Sequence, residues 1–410
     1  MKKNNSYLSN SFKKIAGLFQ KNLFLRNLKK IYYYVDAILL IFAGKCKKQK
    51  SEKKEVLIIY NIALGDGVIW RCAAVHLRKI YPAENYKLTL LCQKGLNKIY
   101  ENDGIFDNII SIDFNKSTVN LKERLKNYKI LRKKYYDLII DPVGIMEWTT
   151  NIFYTRASLG IKKVGVIDTT SKCYCKRKDL EKIYDELIEI NEPKLSLLQF
   201  YQCILNELAN NKFDIKVGFE KLKVIPSKIK LPKKYFIVFP AASMKLKRWN
   251  IDKYAILAKK IYDKTKMELV LLGTGSDKEA IEEFKNKLEI PYVDLFDKTN
   301  LNDYIDIIDK AKLVVTNDTS AYHIALIEQT PVAIITGGYT YNRYVLYHFD
   351  REKEFQRPCI IVYNMDCFDC NNRCKYLKND DTNWPCLEKI TVEYAWKKIE
   401  KLIEENKIGE

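Results

Sequence analysis

Four short loops of the sequence carry side chains that could do chemistry, and each loop follows a run of apolar residues. The first loop spans residues 61–68 and places the lone carboxylate of Asp66 between Gly65 and Gly67. A single carboxylate on a tight turn suits a general base that removes a proton from a hydroxyl group. Asp is also a favoured helix cap and Gly a favoured turn residue, so a structural role stays open at this point.

The second loop, residues 240–250, is rich in cations. Lys245, Lys247 and Arg248 follow the hydroxyl of Ser243 and the small residues of "PAAS". Positive charge beside a strand end and before a helix suits an anionic leaving group. The alternative is an ordinary basic loop in solvent.

The third loop offers only glycines. Gly273 and Gly275 follow the apolar run "MELVLL" and could shape the edge of a nucleotide site, although an isolated Gly-x-Gly is also typical of a plain turn.

The fourth stretch, "LVVTNDTSAYHIALIEQTPVAIITGG" (residues 313–338), predicts a strand, a polar turn, a helix and a second strand. Asp318 is positioned to cap the helix. The first free backbone N–H groups then belong to three residues: Thr319, Ser320 and Ala321. Such a helix start is an anion site. His323, one of three histidines, follows one helical turn later.

These loops need elements that bring them together, and the apolar pattern supplies them. From Glu55 buried-type strands alternate with helices, and the alternation restarts at "KYFIVFP". Two βα arrays predict an α/β protein with two doubly wound parallel sheets facing across a cleft. Ligands bind such sheets at the carboxyl ends of the strands. The predicted segments are an N-terminal extension (1–54), a first domain (55–218), a linker (219–234), a second domain (235–390) and a C-terminal helix that packs back across both domains (391–410).

Composition bounds the partners. The formal charge of +20 favours phosphate-rich partners, but no recognition motif for nucleic acid accompanies it, so we expect no nucleic-acid partner. The eleven cysteines, several of them inside apolar runs, indicate reduced, cytoplasmic usage rather than a disulfide framework.

The first 54 residues predict a basic amphipathic extension without a signal peptide. The apolar run from Ile31 to Gly44 is shorter than the roughly 20 residues that a membrane span needs, and Asp36 interrupts it. Two interpretations stay open: attachment to an anionic membrane face, or a helix packed on the first domain.

A cysteine cluster lies near the end of the chain. Cys367, Cys370, Cys374 and Cys386 have C-x2-C-x3-C-x11-C spacing, which could hold a structural zinc or iron ion tetrahedrally. The alternative is a set of reduced thiols in a loop.

Taken in order, the loops resemble those of glycosyltransferase family 9, the ADP-heptose–lipopolysaccharide heptosyltransferases. The matching stretches are "ALGD" at residues 63–66, "FPAASMKLKRW", "VLLGTGSDKE" and "TNDTSAYHIALIEQTPVAIITGG". The resemblance spans about residues 55–401. It departs at Ser320, where the family usually has glycine, and at Tyr322, where a smaller residue is common.

The resemblance implies a GT-B fold with an acceptor side that includes Gly65 and Gly67, and a donor side formed by the second domain. It implies that Asp66 is the base and Lys247 the group that stabilises the diphosphate. The donor set would be completed by eight residues: Ser243, Arg248, Gly273, Asp318, Thr319, Ser320, Ala321 and His323. Inverting transfer of this kind needs no obligatory metal cofactor.

For the biological setting, the resemblance implies an ADP-sugar donor and a lipid-linked oligosaccharide acceptor of the bacterial lipopolysaccharide core. The enzyme would be cytoplasmic and peripheral on the cytosolic face of the inner membrane. The basic N-terminus lies outside the resemblance, but its composition fits attachment to that face. Alternatives are a GT-B transferase for protein or capsule glycosylation, a nucleotide-sugar epimerase, and a catalytically silent membrane-associated scaffold.

Overall fold

The computed structural model describes residues 30–171, 173–349, 352–377 and 383–409. Within these ranges the strands form two sheets. The first sheet contains β1 (Lys54–Tyr60), β2 (Tyr86–Gln93), β3 (Asn108–Ile112), β4 (Tyr135–Gly144), β5 (Leu159–Asp168) and β6 (Glu186–Ile190). The second contains β7 (Tyr235–Phe239), β8 (Glu268–Leu271), β9 (Tyr292–Asp294), β10 (Leu313–Thr316), β11 (Val332–Ile335) and β12 (Cys359–Ile361).

Both sheets are parallel and share one topology. The first has the strand order β3-β2-β1-β4-β5-β6 and the second β12-β11-β10-β7-β8-β9. In each sheet the strand order changes direction between the first and the fourth strand along the chain, which are parallel neighbours. A ligand crevice opens at such a reversal, outside the carboxyl ends of the strands. The predicted α/β class with two doubly wound, Rossmann-like sheets is confirmed.

The α-helices cover the faces of the sheets. Those of the first half are α1 (Ile31–Phe42), α2 (Leu64–Ala74), α3 (Leu77–Ile80), α4 (Phe114–Val119), α5 (Leu121–Leu131), α6 (Thr150–Ala157), α7 (Arg177–Leu180) and α8 (Leu197–Leu208). Those of the second half are α9 (Ile251–Thr265), α10 (Lys278–Lys285), α11 (Leu301–Lys310), α12 (Ser320–Glu328), α13 (Pro385–Glu388) and α14 (Val392–Glu405).

Local sequence signals explain several of these boundaries. The side chains of Ser196, Asn250 and Asn300 accept hydrogen bonds from backbone N–H groups in the first turns of α8, α9 and α11. Strands such as β1 and β7 are apolar along nearly their whole length because helices cover both faces of the sheet.

The segments between and after the strands complete the chain path. Two helices, α2 and α3, lie between β1 and β2. Residues 213–234 join the two halves without helix or strand. The helix α14 packs against α9 and β12 of the second half. The exact domain limits, and packing of the last helix across both domains, stay predictions.

Only part of the N-terminal extension lies within the described residues, since 1–29 do not. Its helix α1 packs against α5 and α6 of the first half. Asp36 of α1 is buried and receives both Nε and a terminal nitrogen of Arg124 at 2.6 Å, with the Tyr128 hydroxyl at 2.8 Å. No helix in the described ranges has the length and hydropathy of a membrane span.

Candidate active site

A short ion pair joins two loops of the second half. Lys247, on the loop after β7, places its Nζ 2.6 Å from Oδ2 of Asp318, which follows β10. Both side chains are largely shielded from solvent, and the ring of Tyr339 lies 5.3 Å from the lysine nitrogen. Because β7 and β10 are neighbours at the reversal of the sheet, their carboxyl-end loops meet there.

The buried amide of Asn317 fixes these two loops to each other. Its Nδ2 donates to the carbonyl oxygens of Pro240 and Ala241 at 2.8 and 3.2 Å. Its Oδ1 accepts from the backbone N–H of Trp249 at 3.0 Å and the hydroxyl of Tyr254 at 2.9 Å. Two of the bonds use the amide nitrogen as donor and two use the amide oxygen as acceptor. Neither Asp nor Leu could replace Asn317 without leaving buried groups unpaired, because Asp lacks the donor and Leu lacks both.

Asp66 reaches the same cleft from the first half, in the first turn of α2 after β1. Desolvation raises the pKa of its carboxyl group to about 6; the charge of Asp318 acts in the same direction, whereas Lys247 and Arg343 lower the pKa. The charges of Lys247 and Asp318 in the second half therefore act on a carboxyl group of the first half. A carboxylate of this pKa is mostly ionised at neutral pH and more basic than an ordinary Asp.

The N-terminus of α12 completes the second half's contribution. Thr319 is the N-cap, and its Oγ1 accepts from the N–H of Ala321 at 3.3 Å. The expectation that Asp318 caps this helix is therefore wrong, because the Asp318 carboxylate is held by Lys247. Ser320 begins the helix, and its side chain acts on the buried hydroxyl of Tyr304, where it opposes the rise in pKa that burial causes. Helix N-termini present backbone N–H groups and positive potential, which favour anions.

His323 lies at the contact between the two halves. Its ring is buried, and its Nδ1 is 3.3 Å from the hydroxyl of Tyr347. Burial lowers the pKa of the imidazole to about 4, so the ring is neutral at physiological pH. A Cβ atom on Gly65 would come within 2.7 Å of its Cδ2, so α2 and α12 approach closely only because residue 65 is glycine.

Sequence analysis missed Arg343, which follows β11. Its guanidinium lies 4.2 Å from the ring centroid of Phe200 and donates to the carbonyl of Leu195 at 3.3 Å, both in the first half. It also lies 3.8 Å from the carboxylate of Asp168 and lowers the pKa of Asp66. The available signal was its position: a lone cation after the carboxyl end of a strand in the second sheet.

The family model of glycosyltransferase family 9 (heptosyltransferase) matches residues 124–340, more than half of the chain. The chain belongs to this family. It is therefore a glycosyltransferase, and the resemblance drawn from its loops is confirmed.

Individual relatives of this family 9 glycosyltransferase are distant. The lipopolysaccharide core heptosyltransferase OpsX of Haemophilus influenzae is 22% identical over 327 residues, which cover 74% of this chain and 88% of the relative. A family 9 glycosyltransferase from Veillonella parvula has a similar structure, with a TM-score of 0.69, 16% identity, and coverage of 88% of this chain and 100% of that one.

A third similar structure is the E. coli heptosyltransferase WaaC with ADP, with a TM-score of 0.59 and 16% identity. The match covers 86% of this chain and 99% of the WaaC chain. These structures support the GT-B fold.

We use the word cradle for Lys247, Asp318 and the N-terminus of α12. The remaining predicted residues of the glycosyltransferase have other contacts. Arg248 turns back onto its own loop, donating to the carbonyl of Ala242 at 3.0 Å. Ser243 is exposed on the same loop. Gly273 has a φ of +157° after β8 and packs near Phe296. Gly67, on α2, accepts the Tyr100 hydroxyl through its carbonyl at 3.0 Å and so serves the structure of the first half.

The four C-terminal cysteines of the transferase line one small cavity with Tyr339, Phe368 and Trp384. In the part of the chain that the structure describes, no three or more Cys, His, Asp or Glu side chains are arranged to hold a metal ion. The predicted zinc or iron site at Cys367, Cys370, Cys374 and Cys386 is therefore unsupported. All eleven cysteines are free thiols.

The cysteine segment instead contacts the loop that carries Lys247 and the residues after β11. The backbone N–H of Trp384 donates to the carbonyl of Leu246 at 3.2 Å, and its ring lies 5.5 Å from that of Tyr339. A Cβ on Gly337 would approach Cys386 Sγ to 2.5 Å. The segment thus packs behind the Lys247 loop and holds it from the outside.

Proposed function

We propose that this glycosyltransferase moves a heptose or a related sugar, with inversion, from an ADP-sugar to a hydroxyl of a lipopolysaccharide core or a similar surface glycan. The observation that carries the proposal is the packing of α2 against α12: a Cβ on Gly65, the residue before Asp66, would lie 3.5 Å from the Cα of Ser320. The charges of Lys247 and Asp318 also act on the pKa of Asp66. One base facing one cationic cradle is what direct displacement of a diphosphate requires.

On the donor side, the diphosphate would lie against the cradle. The ammonium group of Lys247 and the N-terminal N–H groups of α12 supply positive potential where negative charge develops on the leaving oxygen. Arg248, Ser243 and Gly273 border this position. We also propose that residues 235–390 form the domain that binds the donor. The WaaC structure contains ADP, which supports an adenine nucleotide as leaving group in the family.

On the acceptor side, Asp66 would take the proton of the attacking hydroxyl. The acceptor oxygen then forms its bond to the anomeric carbon while the bond from that carbon to the diphosphate oxygen breaks. Attack from the side opposite the leaving group inverts the anomeric configuration. Lys247 and the N-terminal N–H groups of α12 supply the charge stabilisation, so the step as proposed uses no metal ion.

His323 would shape the site rather than transfer protons. Its neutral ring lies between Gly65 and the cradle, and a pKa of about 4 makes it a poor base at neutral pH. The proposed role is to set the separation between the two halves at the point of reaction.

A lipid-linked acceptor places the proposed enzyme in the cytoplasm, on the cytosolic face of the inner membrane. The basic N-terminal extension supports this location, because anionic lipid attracts clustered Lys and Arg side chains.

A GT-B transferase for another sugar, acting on capsule or protein acceptors, is the second candidate. It is favoured by Ser320, which has a side chain where the family usually has glycine. A larger group there changes the shape of the sugar pocket.

The test is release of nucleoside diphosphate from ADP-heptose, ADP-glucose, UDP-N-acetylglucosamine and GDP-mannose, each with and without a truncated lipopolysaccharide core. We expect release from ADP-heptose that depends on the acceptor and disappears in Asp66→Asn. Asp263→Asn, an exposed carboxylate on α9, serves as the control and should retain full activity. Turnover only with a non-ADP donor would replace the proposal by the second candidate.

A further inference from the structure

The helix α1 carries an uncovered apolar stripe. Its members share one side of the helix and are 55% to 76% exposed: Ile31, Tyr34, Ile38, Ile41 and Phe42. Their spacing of three, four, three and one residues places them along a single face at 3.6 residues per turn. Five large apolar side chains on one helix form a contiguous patch rather than scattered exposure.

The opposite face of α1 explains why the stripe points outward. Asp36, the only charged residue of the helix, is turned inward and held by Arg124 and Tyr128. Arg156 lies over the ring of Tyr33 at 3.6 Å, and Arg132 donates to the carbonyl of Leu40 at 2.7 Å. These contacts fix the rotation of α1, so the acidic residue that interrupts the apolar run leaves the exposed face uncharged.

The basic sequence before and after α1 indicates what the exposed stripe contacts. Residues 1–51 contain twelve Lys and Arg residues and one acidic residue, the buried Asp36. Lys45, Lys47 and Lys50 are exposed directly after the helix. A second copy of the chain would bring an equally basic segment against this one, which opposes self-association. An anionic lipid surface satisfies both the apolar face and the positive charge.

The direction of α1 connects this surface to the cleft. Its first turn lies beside the loop after β4, where the Tyr33 and Trp148 rings are 5.9 Å apart. The start of α6 follows that loop, and the side chains of Thr150 and Asn151 bind Asn61, five residues before Asp66. The helix therefore begins at the carboxyl-end edge of the first sheet, on the proposed acceptor side.

We propose that the stripe of α1 inserts into the interface of an anionic membrane and holds the acceptor side of the cleft at the lipid surface. This inference deepens the proposed function and rests on it for the identity of the lipid-linked acceptor. It assigns the contact to a helix of the folded chain, in addition to any contribution of residues 1–29.

The test is co-sedimentation of the full-length protein with vesicles of phosphatidylcholine alone or of phosphatidylcholine with phosphatidylglycerol. The variant is Ile38→Asp/Ile41→Asp. Its control is Ile225→Asp/Ile256→Asp, which makes the same change of charge at two other exposed isoleucines. We expect strong binding only to the anionic vesicles, and a loss of about tenfold in partition coefficient for each stripe isoleucine. The control should lose far less.

Equal losses in the two double variants, or wild-type binding by the stripe variant, would overturn the proposal. So would light scattering that shows the stripe variant converting a dimer to a monomer while vesicle binding persists, since a second copy would then be the occupant. A Tyr34→Trp variant adds a direct readout, because its fluorescence should shift to the blue on anionic vesicles. Nucleotide release with a delipidated acceptor should be unchanged in the stripe variant, so a failure of the proposed transfer reaction is distinguishable from a failure here.

Discussion

The ring of His323 fills the space that a side chain on Gly65 would need. A Cβ atom added to Gly65 would lie 2.7 Å from Cδ2 of the histidine. We predict that Gly65→Ala pushes α2 away from α12 and lowers kcat by about 10²-fold, since small misplacement of a reacting group has costs of this size. Steady-state kinetics of the purified variant would measure the loss.

Gly67→Ala is the matched control on the same helix turn. The nearest atoms to a Cβ there lie at 3.5 Å, an ordinary van der Waals distance, so activity should change little. Equal activity of the two variants would show that the approach of α2 to α12 does not set the catalytic geometry.

Lys247 and Lys245 offer a second matched comparison on one loop. Lys247→Ala should lower kcat by about 10²-fold or more, because a positive charge that stabilises the leaving diphosphate is removed. Lys245 is mostly exposed and pairs with Glu279, so Lys245→Ala should retain most activity. Steady-state nucleotide release measures both variants. A large loss of activity in Lys245→Ala alone would show that Lys245, and not Lys247, stabilises the diphosphate.

The pKa of Asp66 predicts an acid limb in the pH profile. As a base, Asp66 acts when ionised, so kcat/KM should fall tenfold per pH unit below about pH 6. Arg343 lowers the pKa of Asp66, so in Arg343→Ala the limb should move to higher pH. Rate measurements from pH 4.5 to 8.5 test both statements.

Arg343→Lys separates charge from shape in that experiment. It keeps the positive charge and should restore the position of the acid limb, although the contact with Phe200 is weakened. A limb that stays in place in Arg343→Ala would contradict the assignment of Arg343 as an electrostatic neighbour of the base.

Asp141 predicts a pH-dependent stability. It is fully buried, accepts from the Tyr184 hydroxyl at 2.7 Å, and burial raises its pKa to about 7 from an ordinary 3.8. Since the folded state binds this proton more tightly than the unfolded state, the free energy of unfolding should fall as pH rises from 4 to 7. Asp141→Asn removes this dependence.

Denaturation of Asp141→Asn and of the wild type at pH 5 and pH 8 measures the effect. The variant should gain about 3 kcal/mol relative to the wild type between the two pH values. Asp263→Asn, on the surface, should show no such gain. A difference between Asp141→Asn and the wild type that is the same at both pH values would contradict the raised pKa.

Much of this architecture is readable from the sequence. Runs such as "EVLIIY" and "YFIVF" predict strands buried on both faces, and parallel strands order their carboxyl-end loops along one edge. The loops of Asp66, Lys247 and Asp318 could therefore be assigned to one cleft before any coordinates. The caps at Ser196, Asn250 and Asn300 are residue types that favour this position.

What sequence could not supply were contacts between segments far apart in the chain. Arg343 meets Phe200 and Leu195 across the cleft, and the Asn317 amide binds four groups on other segments. The Asp318 cap failed for a related reason: a distant lysine competes for the carboxylate, and only the folded chain shows that competition. The cysteine spacing suggested a metal, which the described residues do not support, and the segment packs behind the Lys247 loop.

The Asn317 amide has a further consequence. Its hydrogen bonds link the Lys247 loop to the end of the strand before Asp318, so Lys247 and Asp318 keep their relative positions. Asp66 belongs to the other half of the chain, and α2 packs against α12 where the two halves meet. In the proposed reaction the cradle is thus rigid within one half, whereas the position of the base depends on how the two halves pack.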